Sequence, residues 1–257
     1  MSLQNRPLKS TQIHDTGERM LPTRDDEISV VFSRHKFAYE YLKKFVEQKT
    51  VIDVGCGTGY GCKILAEKAR LVYGLDYDQE AIAYCCQHYL LSNVEYILQD
   101  ATSIKLDRQF DVAVSLQVIE HMTDLANFLK QLKWVVKPGG TLLISTPNVK
   151  KSEERRSDNP FHHNEMNYSQ FSKLLRDHFT AFEILGITYA RHNRMRSMVG
   201  KLPFYKWGRK LKRSSKLKKV ATRALDLTSF KVIDTNVEKD GADLLAVCQN
   251  INPIDFP

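Results

Sequence analysis

Between about residues 50 and 145, short apolar blocks alternate with stretches whose apolar positions recur every three or four residues. Val51-Ile52-Asp53-Val54 reads as a buried parallel strand, since strands covered on both faces are apolar almost throughout. Leu71 to Leu75 reads as a second strand closing on Asp76. Helices are predicted from near Gly59 and from near Asp78. Leu125, Phe128, Leu129, Leu132, Val135 and Val136 follow helical spacing, with Thr123 or Asp124 as the cap. Phe182 to Ile187 and Ala242 to Cys248 read as the sixth and seventh strands. Strand–helix alternation implies parallel strands joined by right-handed crossovers. The loops leaving their carboxyl ends then share one edge, where ligands bind in open α/β sheets.

The loop after the first strand carries glycines at alternate positions, Gly55, Gly57 and Gly59. A dinucleotide loop wants G-x-G-x-x-G. Counting from Gly55 the sixth residue is Tyr60, and counting from Gly57 it is Cys62, so neither frame fits. Asp53, inside the strand, repels a pyrophosphate and can face a cation. The loop therefore suits a positively charged, phosphate-free nucleoside.

This run resembles motif I of class I S-adenosylmethionine (SAM) methyltransferases, and the family's other motifs follow in order. Asp76 stands where the family grips the ribose diol. Val94 to Leu98 followed by Gln99-Asp100-Ala101 resembles the third strand, with Asp100 placed for the adenine amino group. Phe110 to Ser115 resembles the fourth strand. Lys137-Pro138-Gly139-Gly140 and Thr141 to Ser145 resemble the turn into the fifth. The resemblance implies a Rossmann-like α/β fold: a seven-stranded, mostly parallel sheet, its seventh strand antiparallel between five and six, with helices on both faces and a basic helical insertion before strand seven. SAM is the implied cofactor and S-adenosyl-L-homocysteine its product. Gly55, Cys56, Gly57 and Gly59 are expected beside the methionine moiety, and Asp53 near its ammonium. Ala101 borders the adenine with Asp100, Tyr77 covers the adenine face, and Leu116 and Gln117 line the path to the methyl.

Thr16-Gly17-Glu18-Arg19, Gly59-Tyr60-Gly61, Ile119-Glu120-His121 and Asn159-Pro160-Phe161-His162 resemble the bacterial branch related to ubiquinone-type methyltransferases, often associated with surface polysaccharides. The branch pattern is broken at His35, at Cys56 to Gly59 and at Gln117. Arg34, His35 and Phe37 lie on a predicted helix entering the first strand. By likeness to related enzymes this helix folds over SAM, so that His35 reaches the carboxylate.

The chain of 257 residues, 42% hydrophobic, suits one core with additions. The boundaries read as a leader and cap helix over 1–48, the SAM-binding core over 49–190, a basic lid or insertion over 191–231, and a last strand and tail over 232–257. Five cysteines without C-x-x-C spacing read as reduced, structural thiols. No run approaches the ~20 apolar residues of a membrane span, and no signal-peptide segment is evident. The expected location is the cytoplasm, with peripheral attachment to the inner membrane face allowed. The net charge of +8 is concentrated: residues 191–231 hold fourteen Lys and Arg against the single acid Asp226. Within 200–228 the basic residues flank a rough apolar stripe. A solvated lid, an anionic membrane surface and, more weakly, RNA phosphates stay open as its purpose.

Methyl transfer from a sulfonium is an in-line displacement, so the protein mainly aligns the reactants. A hydroxyl acceptor gains from a nearby base. His121 is the first candidate, with His162 in a loop closing the same edge and Glu120 orienting SAM or a histidine. No ligand spacing demands a metal, and none is expected. The favoured reading is O-methylation of a carbohydrate or glycan precursor. A quinone or other small-molecule enzyme, an RNA methyltransferase using the basic insertion, and a non-catalytic SAM-binding partner protein remain as alternatives.

Overall fold

The computed structural model describes residues 30–149, 161–190 and 227–251. The leader motif before Val30, Asn159-Pro160 and nearly all of the basic segment lie outside the described residues.

Described elements run in the order α1 (Val30–Val46), β1 (Thr50–Val54), α2 (Tyr60–Ala66), β2 (Leu71–Asp76), α3 (Gln79–His88), β3 (Val94–Leu98) and β4 (Phe110–Leu116). They continue through a 3-10 turn (Ile119–His121), α4 (Leu125–Trp134), β5 (Val136–Pro147), α5 (Tyr168–His178), β6 (Phe182–Tyr189), β7 (Phe230–Ile233), α6 (Val237–Asp240) and β8 (Asp243–Gln249). They form one sheet in the order β3-β2-β1-β4-β5-β8-β6-β7. β1 to β5 pair in parallel, and β8 lies antiparallel between β5 and β6.

The fold class is the one expected, but the sheet has eight strands rather than seven. The additional strand β7 pairs antiparallel with β6 at the edge, Tyr189 opposite Phe230 and Gly186 opposite Ile233. It is four residues long and lies where the sequence reads as the end of the basic insertion. So short an edge strand has too few alternating positions to announce itself. β5 also opens earlier than Thr141. Phe110 pairs with Val136 and Val112 with Thr141, so the intervening Lys-Pro-Gly-Gly bulges out of the ladder. Asn250, fully buried just after β8, holds the bulge by donating to the carbonyls of Val136 (2.8 Å) and Lys137 (3.3 Å).

Alternation along the strands divides the core into two layers. Val51, Val72, Val112 and Leu143 face Ala38, Tyr39, Leu42 and Val46 of α1 and Ile64 and Leu65 of α2. Ile52, Leu75, Leu142 and Ile144 face Phe128, Leu129 and Leu132 of α4 and Phe171 and Leu175 of α5. Each of these large side chains stabilises the fold by roughly 1.5–3 kcal/mol on full burial. Phe128, Leu129 and Leu132 of the predicted stripe thus form the buried face of α4, whereas Val135 ends the helix and Val136 opens β5 instead. Asp124 is the cap of α4, accepting from the Asn127 N–H at 3.0 Å, and Asp78 caps α3 through the N–H groups of Glu80 and Ala81. Strand order reverses between β1 and β4, which opens the crevice at their carboxyl ends.

Candidate functional site

Two chain segments meet in that crevice: the glycine loop leaving β1 and the turn leaving β4. The loop is tied to β2 by the N–H groups of Gly55 and Cys56, which both donate to the Leu75 carbonyl (2.8 and 3.0 Å). Gly57 N–H donates to Asp76 Oδ2 at 2.8 Å, and Gly59 N–H to the Cys56 carbonyl at 3.0 Å. Those donors are spent inside the protein and are not arrayed as a phosphate cradle. Gly55, Gly57 and Gly59 all have φ between 53 and 80°, a region that side chains with a Cβ rarely adopt. A Cβ at Gly55 would meet Val118 Cγ2 at 2.5 Å, so the loop lies directly against the β4 turn. Among the described residues, a Cβ at Gly57 would meet nothing within 4 Å. The open face of the crevice is therefore at Gly57.

Asp53 is fully buried beneath the loop, accepting from Tyr39 Oη (3.0 Å) and from the Cys62 thiol (3.4 Å). Burial pushes its carboxyl up to about 7, and the charge of Asp76 adds to this, while the Tyr39 and Cys62 hydrogen bonds oppose it. Asp76, at the tip of β2, holds the Gly57 N–H with one oxygen and the Asp78 N–H with the other (3.0 Å). Tyr77 beside it is 78% exposed, standing free of the core at the crevice mouth. Asp100 is exposed, its Oδ1 held by the N–H and hydroxyl of Thr102, and Ala101 is buried next to it.

On the β4 side Leu116 is buried, and Gln117 has φ +56°, an uncommon conformation for a long side chain. It is over-determined: its N–H donates to the Ser145 carbonyl (3.1 Å) and its side-chain amide to Ser145 Oγ (3.1 Å). Such strain kept in place is a mark of functional sites. The 3-10 turn then brings Glu120 and His121 to the edge. His163 and Asn164 N–H both donate to the Glu120 carbonyl at 2.9 Å, and the Asn164 amide donates to the Met122 carbonyl. The loop after β5 is thereby laced onto the turn, and His162 comes to rest with its ring 4.9 Å from that of His121, edge to face. Glu120 is buried, whereas both histidines are half-buried. His163 itself is exposed.

From α1, His35 lies over the crevice with its Nδ1 on the Tyr60 hydroxyl and its Nε2 3.4 Å from the Leu116 carbonyl. Burial lowers its pKa to about 4, with the Arg34 charge adding to the effect. A carbonyl only accepts, so Nε2 carries the proton and Tyr60 donates to Nδ1. This neutral ring, engaged at both nitrogens, orients Tyr60 and the β4 exit and is not the cation that would pair with a carboxylate.

Several participants carried no sequence signal of their own. A Cβ at Gly61 would meet the Tyr39 ring at 2.1 Å, so the second glycine of Gly-Tyr-Gly admits the side chain that holds Asp53. Glu165 Oε1 lies 2.7 Å from His162 Nδ1, and only the three-residue spacing of that pair hinted at it. The cysteines are free; Cys56, Cys62, Cys85 and Cys248 are buried and Cys86 is exposed. Burial pushes the Cys62 thiol up to about 12, which agrees with inert, structural thiols.

A family model described as a methyltransferase domain matches residues 45–182. A Mycolicibacterium smegmatis protein named "Probable S-adenosylmethionine-dependent methyltransferase" is 37% identical over 163 residues, covering 62% of this chain and 62% of that protein. A ubiquinone biosynthesis O-methyltransferase of Pseudomonas fluorescens is 36% identical over 104 residues, 39% of this chain and 45% of that one. The match thus spans less than two thirds of each of these relatives. A solved SAM-dependent methyltransferase of Thermotoga maritima superposes with a TM-score of 0.59 at 16% identity, over 85% of this chain and 92% of that one, a likeness of fold. With the family model covering more than half of its length, including the sheet's switch point and the glycine loop, this chain belongs to the methyltransferase-domain family.

Proposed function

We propose that this chain is a SAM-dependent methyltransferase acting on a hydroxyl of a small-molecule or glycan acceptor. The observation that carries the reading is the open face at Gly57, whose N–H is held by Asp76 while no atom of the described residues lies within 4 Å of where its Cβ would be. A backbone so exposed, beside a carboxylate at the tip of the second strand, fits a nucleoside whose sugar hydroxyls donate to Asp76. The spent loop donors and the acid Asp53 suit a ligand that carries positive charge and no phosphate. Bound there, SAM supplies an electrophilic methyl on a sulfonium.

The chain's own residues do the rest. Gly55, Cys56, Gly57 and Gly59 pass the backbone along the methionine moiety, and an ammonium above Asp53 would favour the ionised form of a carboxyl that burial otherwise keeps protonated up to about 7. Tyr77 closes over the adenine, and Asp100 Oδ2 and Ala101 border it. Leu116 and Gln117 line the approach to the methyl, and the fixed geometry of the β4 exit aligns the acceptor for in-line transfer. Glu120, His121 and His162 form the end of the crevice that activates the hydroxyl, with Nε2 of His121 the first candidate to take its proton. The relative named an O-methyltransferase supports an oxygen acceptor. It equally favours a quinone-type small molecule as the second reading.

Asp76→Ala tests the ribose assignment. It should weaken SAM binding, measured by calorimetry, by at least about tenfold, the loss of roughly 1.4 kcal/mol that one charged hydrogen bond contributes. Unchanged affinity would sink the assignment.

A further inference from the structure

One ligand atom each from Glu120, His121 and His162 lies within 4.8 Å of the other two. This convergence is built by the fold. The turn after β4 and the loop after β5 are joined by several hydrogen bonds, two of them onto the Glu120 carbonyl, so the two segments are held in register. The rings are also prepared on their far sides. His121 Nδ1 lies 3.1 Å from the Phe161 carbonyl, and His162 Nδ1 lies 2.7 Å from the Glu165 carboxylate. Both partners are acceptors, so each Nδ1 is the donor, and in the neutral ring Nε2 is the nitrogen of ligating type. A carboxylate or backbone carbonyl behind the opposite ring nitrogen is the usual support of a metal-ligating histidine.

We infer that Glu120, His121 and His162 form a divalent metal site of two imidazole nitrogens and one carboxylate, with open positions facing the acceptor. Such a donor set suits zinc, manganese or iron(II), whereas magnesium and calcium favour sites made of oxygen alone. In a tetrahedral ion with bonds near 2.1 Å the ligands stand roughly 3.4 Å apart. This inference rests on the methyltransferase reading for its purpose. A hydroxyl oxygen bound to the ion becomes acidic and its proton passes to solvent. The oxygen's electron pair then forms the bond to the methyl carbon, and the pair of the broken methyl–sulfur bond returns to sulfur. In that scheme His121 is a ligand rather than the proton acceptor, and Glu165 is a positioning residue acting through His162.

The test is a titration of the chelator-stripped full chain with Zn2+ by calorimetry, and with Co2+ by its visible absorption. The expected result is one ion per chain with the spectrum of a nitrogen–oxygen site. His162→Ala and Glu120→Gln should lose that ion while circular dichroism reports an unchanged fold. Glu165→Gln should weaken it by roughly 10–100-fold. No ion on the wild-type chain, or equal binding by His162→Ala and Glu120→Gln, overturns the site. SAM calorimetry on the same samples separates the two ideas. Binding of Zn2+ without binding of SAM leaves the metal site standing and refutes the methyltransferase reading, and the reverse result refutes the site alone.

Discussion

Asp53 and His35 titrate in opposite senses, and the pair makes a measurable prediction. In the fold Asp53 keeps its proton up to about 7, while in the unfolded chain it releases it near 3.8. Between those values the native state binds the extra proton, so this group's contribution to stability is lost as pH rises. His35 behaves in reverse. The unfolded chain binds a proton below about 6.5 that the native ring refuses down to about 4, so its contribution is lost as pH falls through that window. Each slope is at most about 1.4 kcal/mol per pH unit, and the two offset each other. Asp53→Asn removes one of them. Its stability, measured by urea denaturation between pH 4.5 and 6.5, should climb relative to wild type by about 1 kcal/mol per pH unit. Parallel curves would show that Asp53 is ionised in the native protein.

Among the elements, α1 is the one whose attachment decides whether the crevice has a roof. Its buried face (Phe32, Ala38, Tyr39, Leu42 and Val46) packs on the β1 side of the sheet. A polar tie is added where Arg34 Nε meets Asp243 Oδ2 at 2.5 Å, linking α1 to the first residue of β8. Asp243 is buried, so removing its partner leaves a charge stranded in the core. Arg34→Ala should destabilise the protein by about 3–5 kcal/mol, read from the midpoint of urea unfolding. A loss below about 1 kcal/mol would mean that the pair is balanced by its own desolvation. The same helix brings His35 to Tyr60 and Leu116 and Tyr39 to Asp53. Loosening it should therefore disturb the glycine loop as well as the fold.

For the molecule as a whole, charge is the unbalanced quantity. A local excess of thirteen positive charges over 191–231 is far more than a solvated surface needs, and each Lys or Arg at an anionic lipid surface contributes about 1 kcal/mol. Among the described residues no helix is long and apolar enough to cross a membrane. Cutting residues 200–226 spares the Ser229 carbonyl, which accepts from Ala190 N–H beside β7. The shortened chain should stop sedimenting with phosphatidylglycerol vesicles, while neither form sediments with phosphatidylcholine. Equal sedimentation of both forms would discard the membrane role and leave the lid.

The apolar rhythm of the chain determined the strand–helix alternation and the parallel core, and the glycines marked the loop after β1, because each is a local consequence of period or of a positive-φ backbone that favours glycine. Phe128, Leu129 and Leu132 face inward as their spacing required, Asp124 is the cap of the two residues offered, and a helix does begin at Asp78. Only the folded chain decided which distant groups became neighbours. The bond from Asp76 to Gly57, the Tyr39 ring filling the space at Gly61, the β7 edge strand and the meeting of His162 with Glu120 and His121 all depend on loops laced together across the sheet. Hydrogen bonds between segments far apart in sequence leave no periodic trace, so no reading of the chain in one dimension contains them.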